Sequence, residues 1–188
     1  MASTSEIKNG LCIKHNHKLV QVVEFQHVKP GKGPAFVRTK LKGIEDGRVV
    51  DHTFPSGHKI DIVRIENRSY QFLYKEGDGY HFMNTSTYEQ VYIEGHMIQK
   101  PEFMKEGEIS TIIFHSEEEL PLVVEQAQFM SAEVTYTEPG IKGDTATNTM
   151  KPATIDTGAE IRVPLFIDTG DKIKVDIHKG VYVERIKS

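Results

Sequence analysis

Tryptophan is absent from the 188-residue chain, and cysteine occurs once, at Cys12. A lone cysteine closes no internal disulfide, so no covalent staple is expected, and the usage fits a reducing compartment. No apolar run approaches the roughly 18 residues that a membrane-spanning helix needs. The opening MASTSEIKNG has no apolar segment of the kind a secretion signal requires. The expectation is a cytoplasmic protein without a membrane anchor. Low-complexity tracts and Pro- or Ser-rich linkers are also missing, so any modules should touch and hold a fixed arrangement. The usual catalytic signatures are absent too: G-x-S-x-G and H-E-x-x-H do not occur, and Asp144, Asp156 and Asp168 share no EF-hand register. Neither a cofactor nor a metal is expected.

What the chain does have is charge unevenly spread. The net charge of −4 divides into three parts. Residues 1–63 carry 10 Lys/Arg against 6 Asp/Glu, net +4; residues 64–127 carry 5 against 12, net −7; residues 128–188 carry 8 against 9, net −1. A basic end on an acidic body points to an interacting N-terminal segment.

Periodic stretches read as strands. In AFVRTKL, Ala35, Val37, Thr39 and Leu41 alternate with Phe36, Arg38, Lys40 and, one residue on, Lys42, a period of two. One face should pack while the other carries three cations. Turn signals at EDGR, KEGDGY, MKEGEI, DTGDKI and HKGVY recur at close spacing, the pattern of an all-β chain built from small barrels. TSTYEQVYI, with a Thr or Ser cap and Glu89 in its first turn, admits at most a short helix. Three β modules of roughly 60 residues each follow, over 1–63, 64–127 and 128–188.

The densest local signal is Pro30-Gly31-Lys32-Gly33-Pro34. Proline fixes φ and glycine accepts positive φ, so this stretch should turn tightly and hold Lys32 at an exposed tip. It lacks the G-x-x-x-x-G-K-[ST] spacing of a phosphate-cradling loop. A nucleophilic lysine needs desolvation to depress its pKa, which a hairpin tip does not supply. Lys32 is then a presented cation, a lysine open to a modifying enzyme, or a plain solvated turn residue. Arg38, Lys40 and Lys42 suit the phosphates of a structured nucleic acid, or form an ordinary polar face. His15-x-His17 offers two ligands on one strand face, but no third at zinc spacing.

These residues resemble a known family, bacterial elongation factor P. HVKPGKGPAFVRTKLK resembles its lysine loop. KPATIDTGAEIRVPLFIDTG, residues 151–170, resembles its C-terminal signature, with Lys151, Ala153, Gly158, Ile161, Val163, Pro164, Ile167 and Gly170 in place. SYQFLYKEGDGYHFMNTSTYEQV resembles the middle domain, while EPGIKGDTATN and GVYVERIKS resemble the third.

The resemblance implies an SH3-like (KOW-like) barrel followed by two OB-type barrels, in an L that imitates tRNA in outline. It also implies a non-enzymatic, monomeric factor that binds the ribosome between the P and E sites beside the P-site peptidyl-tRNA and relieves stalling at consecutive prolines. On that analogy Lys32 reaches toward the tRNA acceptor end, and Arg38, Lys40 and Lys42 lie along the acceptor stem. Gly143, Asp144 and Thr145 match the loop that approaches the E-site codon of the mRNA, and Tyr182 and Arg185 match residues near the small subunit. Many relatives enlarge the loop lysine after translation and others carry a modified arginine there. In this chain Pro34 follows Gly33, where some members with an extended lysine have a non-proline residue. A general RNA-binding β-barrel is the competing reading, opposed by the missing Trp and the acidic middle segment.

Overall fold

The computed structural model describes residues 2–140 and 149–186. The chain is all-β, with three sheets among the described residues. The first comprises β1 (Ala2–Ser3), β2 (Cys12–His15), β3 (Lys18–Val28), β4 (Phe36–Gly43), β5 (Val49–Pro55) and β6 (Lys59–Ile62), in the order β1-β6-β2-β3-β4-β5. The alternation expected for β4 is present: Val37, Thr39 and Leu41 are buried, and Arg38, Lys40 and Lys42 are exposed. Val37 and Leu41 join Ile13, Val20, Val22, Phe54 and Ile60 in one core. Each such side chain contributes about 1.5–3 kcal/mol when fully buried. Thr39, the polar member of the inward row, is satisfied by donating to the His52 carbonyl at 2.9 Å. Cys12 is a free, buried thiol, and burial pushes its pKa up.

The second sheet holds β7 (Ile65–Glu76), β8 (Gly79–Asn84), β9 (Gln90–Glu94), β10 (Ile109–His115) and β11 (Leu120–Glu125), in the order β11-β10-β7-β8-β9. The short helix that TSTYEQVYI admits does not form. The Asn84 side-chain oxygen accepts from the backbone N–H groups of Ser86 and Thr87 at 2.8 and 3.0 Å, closing a turn, and Tyr88 takes a φ of 63°. The chain then enters β9 at Gln90. A side chain that mimics a backbone turn outcompetes a helical cap here. The third sheet holds β12 (Phe129–Thr137), β13 (Met150–Ile155), β14 (Glu160–Pro164), β15 (Lys172–Asp176) and β16 (Val181–Arg185), in the order β14-β13-β12-β15-β16.

Contacts divide the chain into two compact units, Met1–Arg68 with Ile112–Val123, and Ser69–Thr111 with Val124–Ser188. In the first, Arg68 is a hub. It forks onto Glu119 at 2.7 and 3.0 Å, reaches Glu66 at 2.8 Å, and lies over the Phe114 ring at 4.6 Å. Both carboxyls are held below their usual range, chiefly by hydrogen bonds from that guanidinium. In the second unit, a 3-10 turn at Pro101–Phe103 drives Phe103 into the core of Met130, Val134, Ile155 and Val175. Nearby, Lys105 bonds Asp156 at 2.6 Å.

Phe103 lies before the third sheet in sequence yet is 3 % exposed within its core. Phe103→Ala is expected to cost about 3–5 kcal/mol, as a large buried aromatic does. Urea denaturation of the full chain measures this, and a loss under about 1 kcal/mol would mean that the site collapses around the missing ring.

Candidate functional site

The β3–β4 hairpin builds the site. The two strands pair from Val20↔Gly43 to Val28↔Phe36, and β5 continues the ladder on the far side of β4, with Phe36 opposite Pro55. Ser56 then donates its N–H to the Ala35 carbonyl at 3.0 Å. Only residues 29–35 lie beyond the paired strands. Within them Gly31, Lys32, Gly33 and Pro34 are exposed and Pro30 is half-buried. Of the two glycines, only Gly33 needs its freedom, at φ +112°. A Cβ there would sit 3.9 Å from the Pro30 ring, so proline and glycine face each other across the turn that carries Lys32. Gly31 has open space around it and no positive φ.

Arg38, Lys40 and Lys42 share the solvent face of β4, but their surroundings are not uniformly basic. The ladder sets Gln26 and Thr53 beside Arg38, Glu24 and Asp51 beside Lys40, and Gln21 and Val49 beside Lys42. Lys40 bonds Glu24 at 2.9 Å, and that hydrogen bond, with the nearby carboxylate charge, raises its pKa. Arg38 lies over the Phe36 ring at 5.4 Å. Among the described residues, Arg38 and Lys42 form no salt bridge. The face therefore presents two uncommitted cations on either side of a neutralised one. Glu24 and Asp51 escape a reading of β4 alone, because their places follow from cross-strand register.

The remaining candidates lie in the third sheet. Tyr182 on β16 packs against its core, and burial pushes its phenol pKa up against a hydrogen bond with the Arg185 backbone. Arg185 reaches Asp171 at 3.5 Å. Gly143, Asp144 and Thr145 fall outside the described residues. The 151–170 signature resolves into folding roles. Ala153, Ile161, Val163 and Ile167 are core residues, Gly158 and Gly170 take φ of 86° and 92°, and buried Lys151 donates to the Glu138 carbonyl at 2.7 Å.

His15 and His17 do not share a strand face. β2 ends at His15, whose ring meets His52 at 4.3 Å and Phe54 at 5.5 Å, while His17 sits in the turn at φ 62°. Burial, with the nearby His52 and His58, lowers the His15 pKa. Among the described residues, no group of three or more His, Cys, Asp or Glu side chains is arranged to hold a metal ion.

The two loop glycines should respond to alanine with opposite sign. Gly33→Ala forces a side chain into positive φ and is expected to cost about 1–2 kcal/mol while moving the turn. Gly31→Ala is expected to stabilise by about 0.4–1 kcal/mol, through a less flexible unfolded chain. Thermal unfolding, with amide shifts of residues 29–35, reads both.

Comparison with known proteins supplies the family. Models described as the elongation factor P KOW-like domain, OB domain and C-terminal domain match residues 3–60, 65–123 and 130–185. Proteins named elongation factor P from Flavobacterium johnsoniae and Christiangramia forsetii are each 54 % identical over 188 residues, covering all of both chains. Elongation factor P 1 of Porphyromonas gingivalis is 51 % identical, again over both full lengths. In fold alone, the chain is similar to translation initiation factor 5A from Methanococcus jannaschii, at a TM-score of 0.50 and 22 % identity, over 65 % of this chain and 92 % of that one. With its whole length matched and its lysine loop, three sheets and C-terminal signature all in place, this chain belongs to the elongation factor P family.

Proposed function

We propose that this elongation factor works in the cytoplasm as a monomer, binding the ribosome between the P and E sites and using Lys32 to steady the acceptor end of the P-site peptidyl-tRNA. The carrying observation is the loop itself: an exposed lysine between two prolines, anchored on paired strands at Val28 and Phe36. The uncommitted Arg38 and Lys42 provide phosphate contacts along the acceptor stem, with Lys40 contributing less because Glu24 already engages it. The three modules, 1–63, 64–127 and 128–188, divide the work. The first faces the tRNA end. In the third, the Gly143-Asp144-Thr145 loop meets the mRNA at the E-site codon, and Tyr182 and Arg185 lie near the small subunit.

The mechanism follows from proline. Its ring fixes φ and restricts the residue before it, so a peptidyl-proline facing an incoming proline has few geometries in which the reacting atoms align. Restoring alignment is a positioning effect, worth up to about 7–11 kcal/mol in well-oriented reactions. A tenfold gain takes only about 1.4 kcal/mol. The factor need not take part in bond making: the ribosome performs the chemistry, and the factor limits the motion of its substrate. Pro30 and Pro34 reduce the order that must be gained on binding, so Lys32 acts unmodified, with stiffness in place of added length. An exposed Lys32 is equally open to a modifying enzyme, and intact mass on natively expressed protein separates the two cases.

Synthesis through three consecutive prolines in a reconstituted bacterial translation system tests the proposal. Unmodified protein should accelerate the step at least tenfold and Lys32→Ala should lose that gain, equivalent to about 1.4 kcal/mol. Rescue by native but not unmodified protein would replace stiffness with modification; no rescue by either would overturn the function.

A further inference from the structure

The outer face of the second sheet carries a row of rings that the loop mechanism does not use. Tyr74 on β7, His81 on β8 and Tyr92 on β9 are cross-strand neighbours. Tyr74 and His81 stack with centroids 4.5 Å apart and planes 20° apart, and Tyr92 meets His81 edge-on at 5.5 Å. Tyr74 and Tyr92 are 44 % and 53 % exposed. The adjoining cross-strand row is Glu76, Gly79 and Glu94. Tyr92 lies over the bare backbone of Gly79, in space that a Cβ at that position would occupy. Glu76 bonds His81 at 3.1 Å and Glu94 bonds His96 at 3.1 Å. The result is an exposed aromatic strip with a carboxylate beside each end.

Cross-strand ring pairs stabilise sheets by themselves, and Tyr92 shields the Gly79 backbone. Those roles do not require the rings to stay open to solvent beside two acids. Exposed rings on an OB-type sheet can stack nucleobases, but Glu76, Glu94 and a segment of net charge −7 disfavour a phosphate backbone. A planar cation satisfies both halves of the strip. A guanidinium stacks on tyrosine and forks onto a carboxylate, whereas an ammonium gains charge attraction without the planar fit.

We propose that the Tyr74–His81–Tyr92 row, with Glu76 and Glu94, is a docking site for an arginine side chain presented by a basic protein surface. The site is independent of Lys32, so a failure of the loop reading leaves it standing, and the reverse holds too.

The test uses the full-length protein with isotope-labelled tyrosine, followed by NMR at low salt. Three probes are titrated in parallel: a capped Gly-Arg-Gly-Arg-Gly peptide, its lysine counterpart, and a single-stranded adenine hexanucleotide RNA. The arginine peptide is expected to shift the Tyr74 and Tyr92 ring signals saturably, binding roughly two- to fivefold tighter than the lysine peptide. Tyr92→Leu should remove that preference, while Tyr92→Phe, which keeps the ring and the packing over Gly79, should retain it. Glu76→Gln with Glu94→Gln should weaken both peptides. Equal ring shifts with lysine would reduce the site to bulk charge and overturn the proposal. Ring shifts from the RNA alone would reassign the strip to nucleobases, and silence from both peptides would leave the row a purely structural feature.

Discussion

The register between β3 and β4 is the constraint on which the functional hairpin depends. Side chains alternate along a strand, so sliding β4 by one residue would carry Arg38, Lys40 and Lys42 into the core and expel Val37 and Leu41. Burying even one unpaired cation costs several kcal/mol, which makes the slipped state inaccessible. A bulge sharpens this. On β3, Val22 faces inward opposite Leu41, but the pairing then skips Val23, so that Glu24 rather than its neighbour meets Lys40. Without the extra residue Glu24 would point into the core beside Val22. The bulge therefore sets the electrostatics of the exposed face as well as the twist of the hairpin.

The loop inherits its order from that ladder. Because pairing persists to Val28 and Phe36, and Ser56 holds Ala35, the unpaired part of this hairpin is confined to residues 29–35, rich in proline and glycine. Presenting a charge at a fixed point costs less when most torsions are already restricted, which is the physical case for an unmodified Lys32. Elsewhere the chain invests in holding shape. The C-terminal signature is a set of core side chains, positive-φ glycines and one buried lysine that ties Lys151 to the Glu138 carbonyl. Its regularity reflects folding requirements, whereas the proposed role of the loop turns on an exposed side chain that the core does not use.

Much of this was legible in the chain because it is local. Period-two alternation located β4 and its cationic face, and the Pro-Gly-Lys-Gly-Pro stretch located the tip, down to the need for positive φ at one of its glycines. What remained hidden is set by long-range register. Nothing near Lys40 in sequence announces that Glu24 and Asp51 will flank it. Tyr74, His81 and Tyr92 form a row only once three strands are aligned. Phe103 reads as part of the acidic middle segment until its ring is seen in the third sheet's core. The 85–93 segment departs for a different reason: its Thr and Ser residues admit a short helix, but Asn84 uses its side chain to close a turn instead. Likewise His15 and His17 share a strand face only if β2 continues past His15, and the turn intervenes.

The central proposal is spatial: that the tip of this loop lies at the acceptor end of the P-site tRNA. Cys12 is buried and its thiol pKa is raised, so a Lys32→Cys variant offers a single accessible thiol for tethering a hydroxyl-radical source. With the labelled protein on ribosomes holding a peptidyl-tRNA in the P site, strand cleavage is expected at the tRNA 3′ end. Cleavage confined to ribosomal RNA remote from that end, with the tRNA untouched, would contradict the account.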